Sequence, residues 1–408
     1  MPDTVDYATH AIFTTVNTSN GLWSAVKAAL PGDTIYLAPG AYAAVSLAGM
    51  NPTGMVTITS LDPGHPAVIA GLTLTNSSNL TFSNIELTPK AQGAYGITLA
   101  SDTNIRFDHI NIHASATVDG NAVLIRDSKN VSVTNSDIHN IGTGISFVNS
   151  NTVLLSGNTL HNIQSDGMHG GGTSNITITG NTFTDFSPKA GDHPDAIQFW
   201  TSGSTTSAHD ITITNNIITR GAGAAVQGIF IGADPTLPFH NVTITGNAIV
   251  GGLYNGIAFQ SGDNVKIEHN LVQGYKDMNS WIFIGKTTNS ILDYNQASTY
   301  SIAKDNVLLN AHDNTTIVLQ PVGDLTVLNH WLNPQGLAVP TVPPESFDLS
   351  ASFTSETLDP DASLSPEAVD LNAWSQPVTF DPEPEASSMP ETFDPGASSI
   401  WSSTDGLI

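Results

Sequence analysis

The phrases "NITITGNTF" at 175–183 and "NVTITGNAI" at 241–249 decide the fold. Each is an Asn, a run of alternating β-branched residues and a second Asn, and the pattern returns throughout the middle of the chain. It appears as "NLTFSNIEL" from Asn79, "NIRFDHINI" from Asn104, "NVSVTNSDI" from Asn130, "TVLLSGNTL" from Thr152, "DITITNNII" from Asp210 and "NVKIEHNLV" from Asn264. Successive starts lie 25, 26, 22, 23, 35, 31 and 23 residues apart. A period of this length marks a stacked repeat, and the two expanded spacings mark loops inserted into the coil.

Each unit carries another short strand: "YGITL", "NAVLI", "TGISF", "DGMHG", "DAIQF", "QGIFI", "NGIAF" and "SWIFI". Apolar residues alternate with polar or small ones, the period of a strand with one buried face. None of these strands closes a core alone. Each must pair in parallel with its counterpart in the next coil, about 4.8 Å away, and the repeated Asn then stack as internal amide ladders at the corners. The expected fold is all-β, a right-handed single-stranded parallel β-helix over residues 1–340. An N-terminal cap is expected at about 10–45, where Leu22, Val26 and Leu30 share one face of a short helix stopped by Pro31-Gly32. Such a helix covers strand edges that would otherwise stand open.

Charge divides the chain further. Of 408 residues, 36 are acidic and only 11 are Lys or Arg, for a net charge of −25. Glu345 to Asp405 holds 13 of the acidic residues and no basic one. Residues 341–408 therefore read as an extended acidic, Pro/Ser-rich tail, an export signal or a strap that docks on a protein partner. So few cations cannot neutralise a run of phosphates, which excludes nucleic acid as the main partner. No stretch reaches 18 apolar residues and the start lacks the features of a signal peptide, so no membrane insertion is expected. The chain has no Cys, which removes disulfides and thiolate chemistry.

The stretches "GLWSAVKAALPGDTIYLAPGAY" at 21–42 and "VTITSLDPGHPAVIAG" at 56–71, followed by the Asn-Ile-Thr-Ile coils, carry a resemblance. Over residues 10 to 310 the chain resembles the β-helix superfamily of pectate lyases, alginate lyases, chondroitinase-B-like lyases and mannuronan epimerases. The resemblance implies binding and processing of an extracellular acidic polysaccharide, by β-elimination or C5-epimerisation. That superfamily also holds hydrolases, phage tailspikes and non-catalytic surface proteins. Two other readings therefore stand beside the first: a glycoside hydrolase with paired Asp, and a glycan-binding spike or appendage of a virion or cell surface, trimeric if a spike. The Asp-Pro-His motif of the epimerases is absent, and "SDGMH" offers Asp166 and His169 at another spacing. The C-terminus "SSTDGLI" resembles an uncleaved secretion signal, which implies export without a cleaved leader.

Aligning the second strands gives one column of Tyr95, Asn121, Thr143, Asp166, Asp195, Gln227, Asn255 and Ser280. Three residues on, another runs Thr98, Leu124, Ser146, His169, Gln198, Phe230, Ala258 and Phe283. Asp166 and Asp195 fall on neighbouring coils, where mutual repulsion raises at least one carboxyl pKa. Insertions before Asp195 and Gln227 bring Lys189, His193 and Arg220 near, and His139 and His161 stand on coils below. The catalytic candidates are Asp166, His169, Asp195, Lys189 and Arg220. His169 or Lys189 would act as base, Arg220 or Ca²⁺ would neutralise a uronate carboxylate, and the two Asp would flank a bond to be hydrolysed. For sugar contacts the candidates are His139, His161, His193, Gln198, Trp200, Gln227, Phe230 and Asn255. Asp166, Asp192 and Asp195 form a possible Ca²⁺ set. The plain structural alternative is that these Asp cap turns.

Overall fold

The computed structural model describes residues 13–114, 120–189, 192, 194–233 and 236–333. The tail at 341–408 and His193 lie outside the described residues. Each complete coil contains three strands, as in Tyr95–Ala100, Thr103–Asp108 and Asn111–His113. Like strands stack in parallel into three faces. Sheet I runs through eleven strands from Val45–Ala48 to Thr299–Ile302. Sheet II starts at Phe13–Val16 and ends at Val307–His312, and sheet III has twelve short strands. The strands Asn255–Glu268 and Trp281–Asp293 bend across the corner and join sheets I and II.

The sequence pattern shows two strands per unit where the structure has three. The repeated phrase breaks at its second Asn, so "NLTFSNIEL" supplies Ser78–Ser83 to sheet II and Glu86–Leu87 to sheet III. The first Asn has a backbone role. Asn79, Asn104, Asn130, Asn175, Asn241 and Asn264 all lie at φ between 54° and 59°. Asn enters this left-handed region more readily than other side chains.

The internal ladder comes from the second Asn. Asn158, Asn181, Asn216, Asn247, Asn270 and Asn295 are buried, each handing its Nδ2–H to the Oδ1 of the next at 2.9–3.0 Å. The first Asn forms a second, more exposed chain, as in Asn264 to Asn241 at 2.9 Å. Inside, sheet II contributes stacked apolar columns such as Ile58, Phe82, Phe107 and Val133. Where sheet III turns into sheet I the coils approach so closely that only a small residue fits. A Cβ on Gly144 would sit 2.0 Å from the Gly167 carbonyl oxygen.

The N-terminal cap is α1, Ser19–Ala28, started by Thr18, whose hydroxyl accepts the Gly21 N–H at 3.0 Å. Leu22 and Val26 enter the core as expected. Leu30 does not: the helix ends at Ala28, and Leu30 is 59% exposed. A second helix, α2, Thr326–Leu332, packs Val327 and Leu328 on Ala248, Val250, Leu271 and Tyr275. Among the described residues no helix is long and apolar enough to cross a membrane.

Candidate functional site

Sheet I carries the second sequence column in register. Ser146 pairs with His169, His169 with Gln198, and Gln198 with Phe230, so these side chains leave the same face on successive coils. The expected alignment of Asn255 with Ser280 fails. A bulge after Asn255 shifts its partner to Trp281, and Ser280 is buried with its hydroxyl on the Leu253 carbonyl.

Asp166 precedes the strand Met168–Gly171 and is nearly sealed from solvent. Both its oxygens are used. Oδ1 accepts the Asp195 N–H from the next coil at 2.8 Å, and Oδ2 lies 2.8 Å from His169 Nδ1. A carboxylate at Nδ1 fixes the tautomer with the proton there, so Nε2 is left to accept. At 2.7 Å from Nε2 stands Ser146 Oγ, and 3.2 Å from that oxygen stands the Tyr95 hydroxyl. Four side chains thus form one directional chain, Tyr95 to Ser146 to His169 to Asp166. Trp200 meets the imidazole edge-on, with ring centroids 5.4 Å apart. Its indole is seated over Gly171, where a Cβ would fall 2.6 Å from Nε1.

Asp195 is 1% exposed. Burial, and secondly the nearby Asp166 charge, push its pKa well above the ordinary carboxylate value, favouring the protonated form. Gln198 Nε2 donates to its Oδ2 at 3.0 Å, while Oδ1 has no hydrogen-bond partner among the described residues. Gln227 and Asn255 are buried and joined, Asn255 Nδ2 donating to Gln227 Oε1 at 2.5 Å. Asn255 Oδ1 in turn accepts from Trp281 Nε1 at 3.1 Å, and Tyr254 packs on that indole. Trp200, Phe230, Trp281 and Phe283 are half-buried on this face.

Other candidates stand elsewhere. His139 and His161 belong to sheet III, where His139 stacks between His113 and His161 at 5.1 and 4.9 Å between centroids. Their ring partners are Asn111, Asn140, Asp137 and Asn162. Arg220 forms a two-point pair with Asp277, donates from Nε to the Gly251 carbonyl and lies over Tyr275, so it clamps later coils together. Lys189 is exposed on the insertion before Asp195. Asp192 is exposed there too, its carboxylate accepting the Lys189 N–H at 3.3 Å.

Asp166 and Asp195 are engaged or sealed while Asp192 faces solvent, so the three do not make a cation cage. Among the described residues the ligand atoms that do converge are those of Asp293, His312 and Asp313. His312 Nδ1 lies within 2.9 Å of both carboxylates. A concavity of about 690 Å³ lies on sheet II among Thr81, Arg106, Asp108 and Ser132, away from the histidine chain.

Sequence reasoning did not single out Ser146 and Tyr95, which the structure links to His169, or Trp281, which it links to Asn255. The first two already stood in the aligned columns, and their signal was position beside His169 rather than residue type.

Residues 121–307 match the family model described as the right handed beta helix region. No curated protein matches the chain. Among solved structures it is similar to an alginate lyase from Paenibacillus sp. str. FPU-7, at 18% identity and a TM-score of 0.48, covering 74% of this chain and 99% of that one. It is also similar to the surface adhesin PfbA of Streptococcus pneumoniae, at 15% identity and a TM-score of 0.48, covering 75% and 90%. A mannuronan C-5 epimerase A-module from Azotobacter vinelandii shares 15% identity with a TM-score of 0.44, covering 74% and 97%. Likeness at this level carries nothing about activity. With three stacked parallel sheets and the family match over residues 121–307, the chain has the fold of a right-handed parallel β-helix.

Proposed function

We propose that sheet I binds an extracellular acidic polysaccharide and that the Tyr95–Ser146–His169–Asp166 chain moves a proton from C5 of a uronate, leading to β-elimination or epimerisation. The observation that carries this reading is the unbroken run of hydrogen bonds from the half-buried Tyr95 hydroxyl to a carboxylate. Tyr95 takes the C5 proton as its own passes through Ser146 to His169 Nε2, and Asp166 holds the resulting imidazolium. Unperturbed Tyr and His differ by about 3.5 pKa units, or roughly 5 kcal/mol. In elimination the C4–O4 bond breaks and the departing oxygen receives the proton. In epimerisation a proton returns to the opposite face of C5.

A uronate carboxylate must be neutralised for C5 to lose its proton. Arg220 is committed to Asp277, so this role falls to Lys189 on the insertion and to the Gln198 amide. The half-buried aromatic side chains of the same sheet suit stacking on sugar faces. Paired-carboxylate hydrolysis has less to work with, since Asp195 is sealed and Asp166 has both oxygens engaged.

The test is a panel of uronic-acid polymers followed by absorbance of the unsaturated product, by reducing ends and by C5 inversion in NMR. Wild type should alter at least one polymer. His169→Ala and Asp166→Asn should lower that rate about 10²–10⁴-fold while keeping the β-sheet circular dichroism. Polymer binding without change in any sample would leave the non-catalytic glycan-binding reading instead.

A further inference from the structure

Ser146, His169 and Asp166 also have the spacing of a nucleophilic triad: Oγ to Nε2 at 2.7 Å and Nδ1 to Oδ2 at 2.8 Å. In such an arrangement the imidazole takes the hydroxyl proton during attack and the carboxylate keeps the ring in the donating tautomer. Asp166 is itself fixed by the Asp195 N–H, and Trp200 meets the imidazole edge-on, so the ring is held on two sides. The remaining requirement is a donor for the oxyanion. Tyr95 supplies one, because its hydroxyl lies 3.2 Å from Ser146 Oγ and is placed to donate to an oxygen bound beside it.

We infer that this face carries a second activity, hydrolysis of O-acyl esters on the bound polysaccharide, with Ser146 as nucleophile. It goes beyond proton abstraction and shares with that reading the binding face and the same four residues. Substrate entry moves the Tyr95 hydroxyl off Ser146, which is otherwise buried. Ser146 Oγ then attacks the ester carbonyl as its proton passes to His169 Nε2, and Tyr95 donates to the tetrahedral oxyanion. Collapse breaks the bond to the sugar oxygen, which leaves with the proton from His169. Water, deprotonated by His169, attacks the acyl-serine and releases the carboxylic acid and free Ser146. No metal or redox partner enters the balance.

The direct probe is covalent. One sample of intact protein is treated with a fluorophosphonate and the adduct mapped by peptide mass spectrometry, and a separate, unlabelled sample is given p-nitrophenyl acetate. The expected result is one phosphonyl group per chain on Ser146, an initial burst of nitrophenolate, and release of acetate from an O-acetylated uronate polymer. Ser146→Ala should lose the label and lower ester hydrolysis about 10³-fold or more. Asp166→Asn, which preserves an acceptor for the Asp195 N–H, should lower it with little change in melting. Label elsewhere or none, or ester hydrolysis unchanged in Ser146→Ala, overturns the inference. The uronate assay reads the polymer backbone, so an esterase failure with backbone turnover intact, or the reverse, separates the two readings.

Discussion

Thr152 opens its repeat at φ 58°, where six other coils place Asn. A β-branched side chain is strained in the left-handed region, and its hydroxyl is turned to Asn151 Oδ1. Thr152→Asn should relieve this and add a rung to the outer amide chain, raising stability by about 1 kcal/mol. A higher urea midpoint at unchanged slope checks it, and an equal or lower midpoint contradicts it. Asp102 poses the opposite problem. It occupies a buried rung between Ser77 and Ser128, and burial raises its pKa from 3.8 to about 6 although the Ser77 and Ala100 N–H groups pull it down. The folded state therefore binds this proton more tightly than the unfolded one. Stability present at low pH is lost as pH climbs from 3.8 to about 6, by at most about 3 kcal/mol. Asp102→Ser supplies the hydroxyl used by the neighbouring rungs and should flatten that slope and raise the melting temperature at pH 7. A slope unchanged in the variant would place the titration elsewhere.

At the scale of the coil, the inner Asn column holds the corner between sheets II and III. Asn216 accepts from the Asn181 backbone and amide and donates to the Ile178 carbonyl and to Asn247 Oδ1. Asn216→Ala strands several buried partners at once and should cost about 2–4 kcal/mol. Urea unfolding measures it, and a loss under 1 kcal/mol would mean that water replaces the side chain.

The sequence shows this column because Asn recurs at a fixed step, and the same periodicity gives the correct partners for Ser146, His169 and Gln198. It merges the sheet II and sheet III strands because both alternate apolar and polar residues and only one residue changes backbone region between them. That merger is why His139 and His161 look close to His169 in sequence yet stand on another sheet. The bulge at Asn255 leaves no trace in composition. Arg220 is equally opaque, since its partner Asp277 lies 57 positions away.

Over the described coils, a stack with a helix at its start presents one long face, sheet I, with the Tyr95–Ser146–His169–Asp166 hydrogen-bonded chain on it. With only 11 Lys and Arg in 408 residues, little cationic charge is available to that face. This makes Lys189, and the hydrogen-bonded histidine, the groups on which an acidic sugar would depend. The measurement that bears most directly on this account is proton exchange at C5 of a uronate polymer in deuterated water, followed by NMR with wild type and with His169→Ala. The account predicts that wild type removes the H5 signal, through deuterium incorporation or unsaturation, and that His169→Ala leaves it in place. An H5 signal untouched by folded wild type across the uronate panel would contradict it.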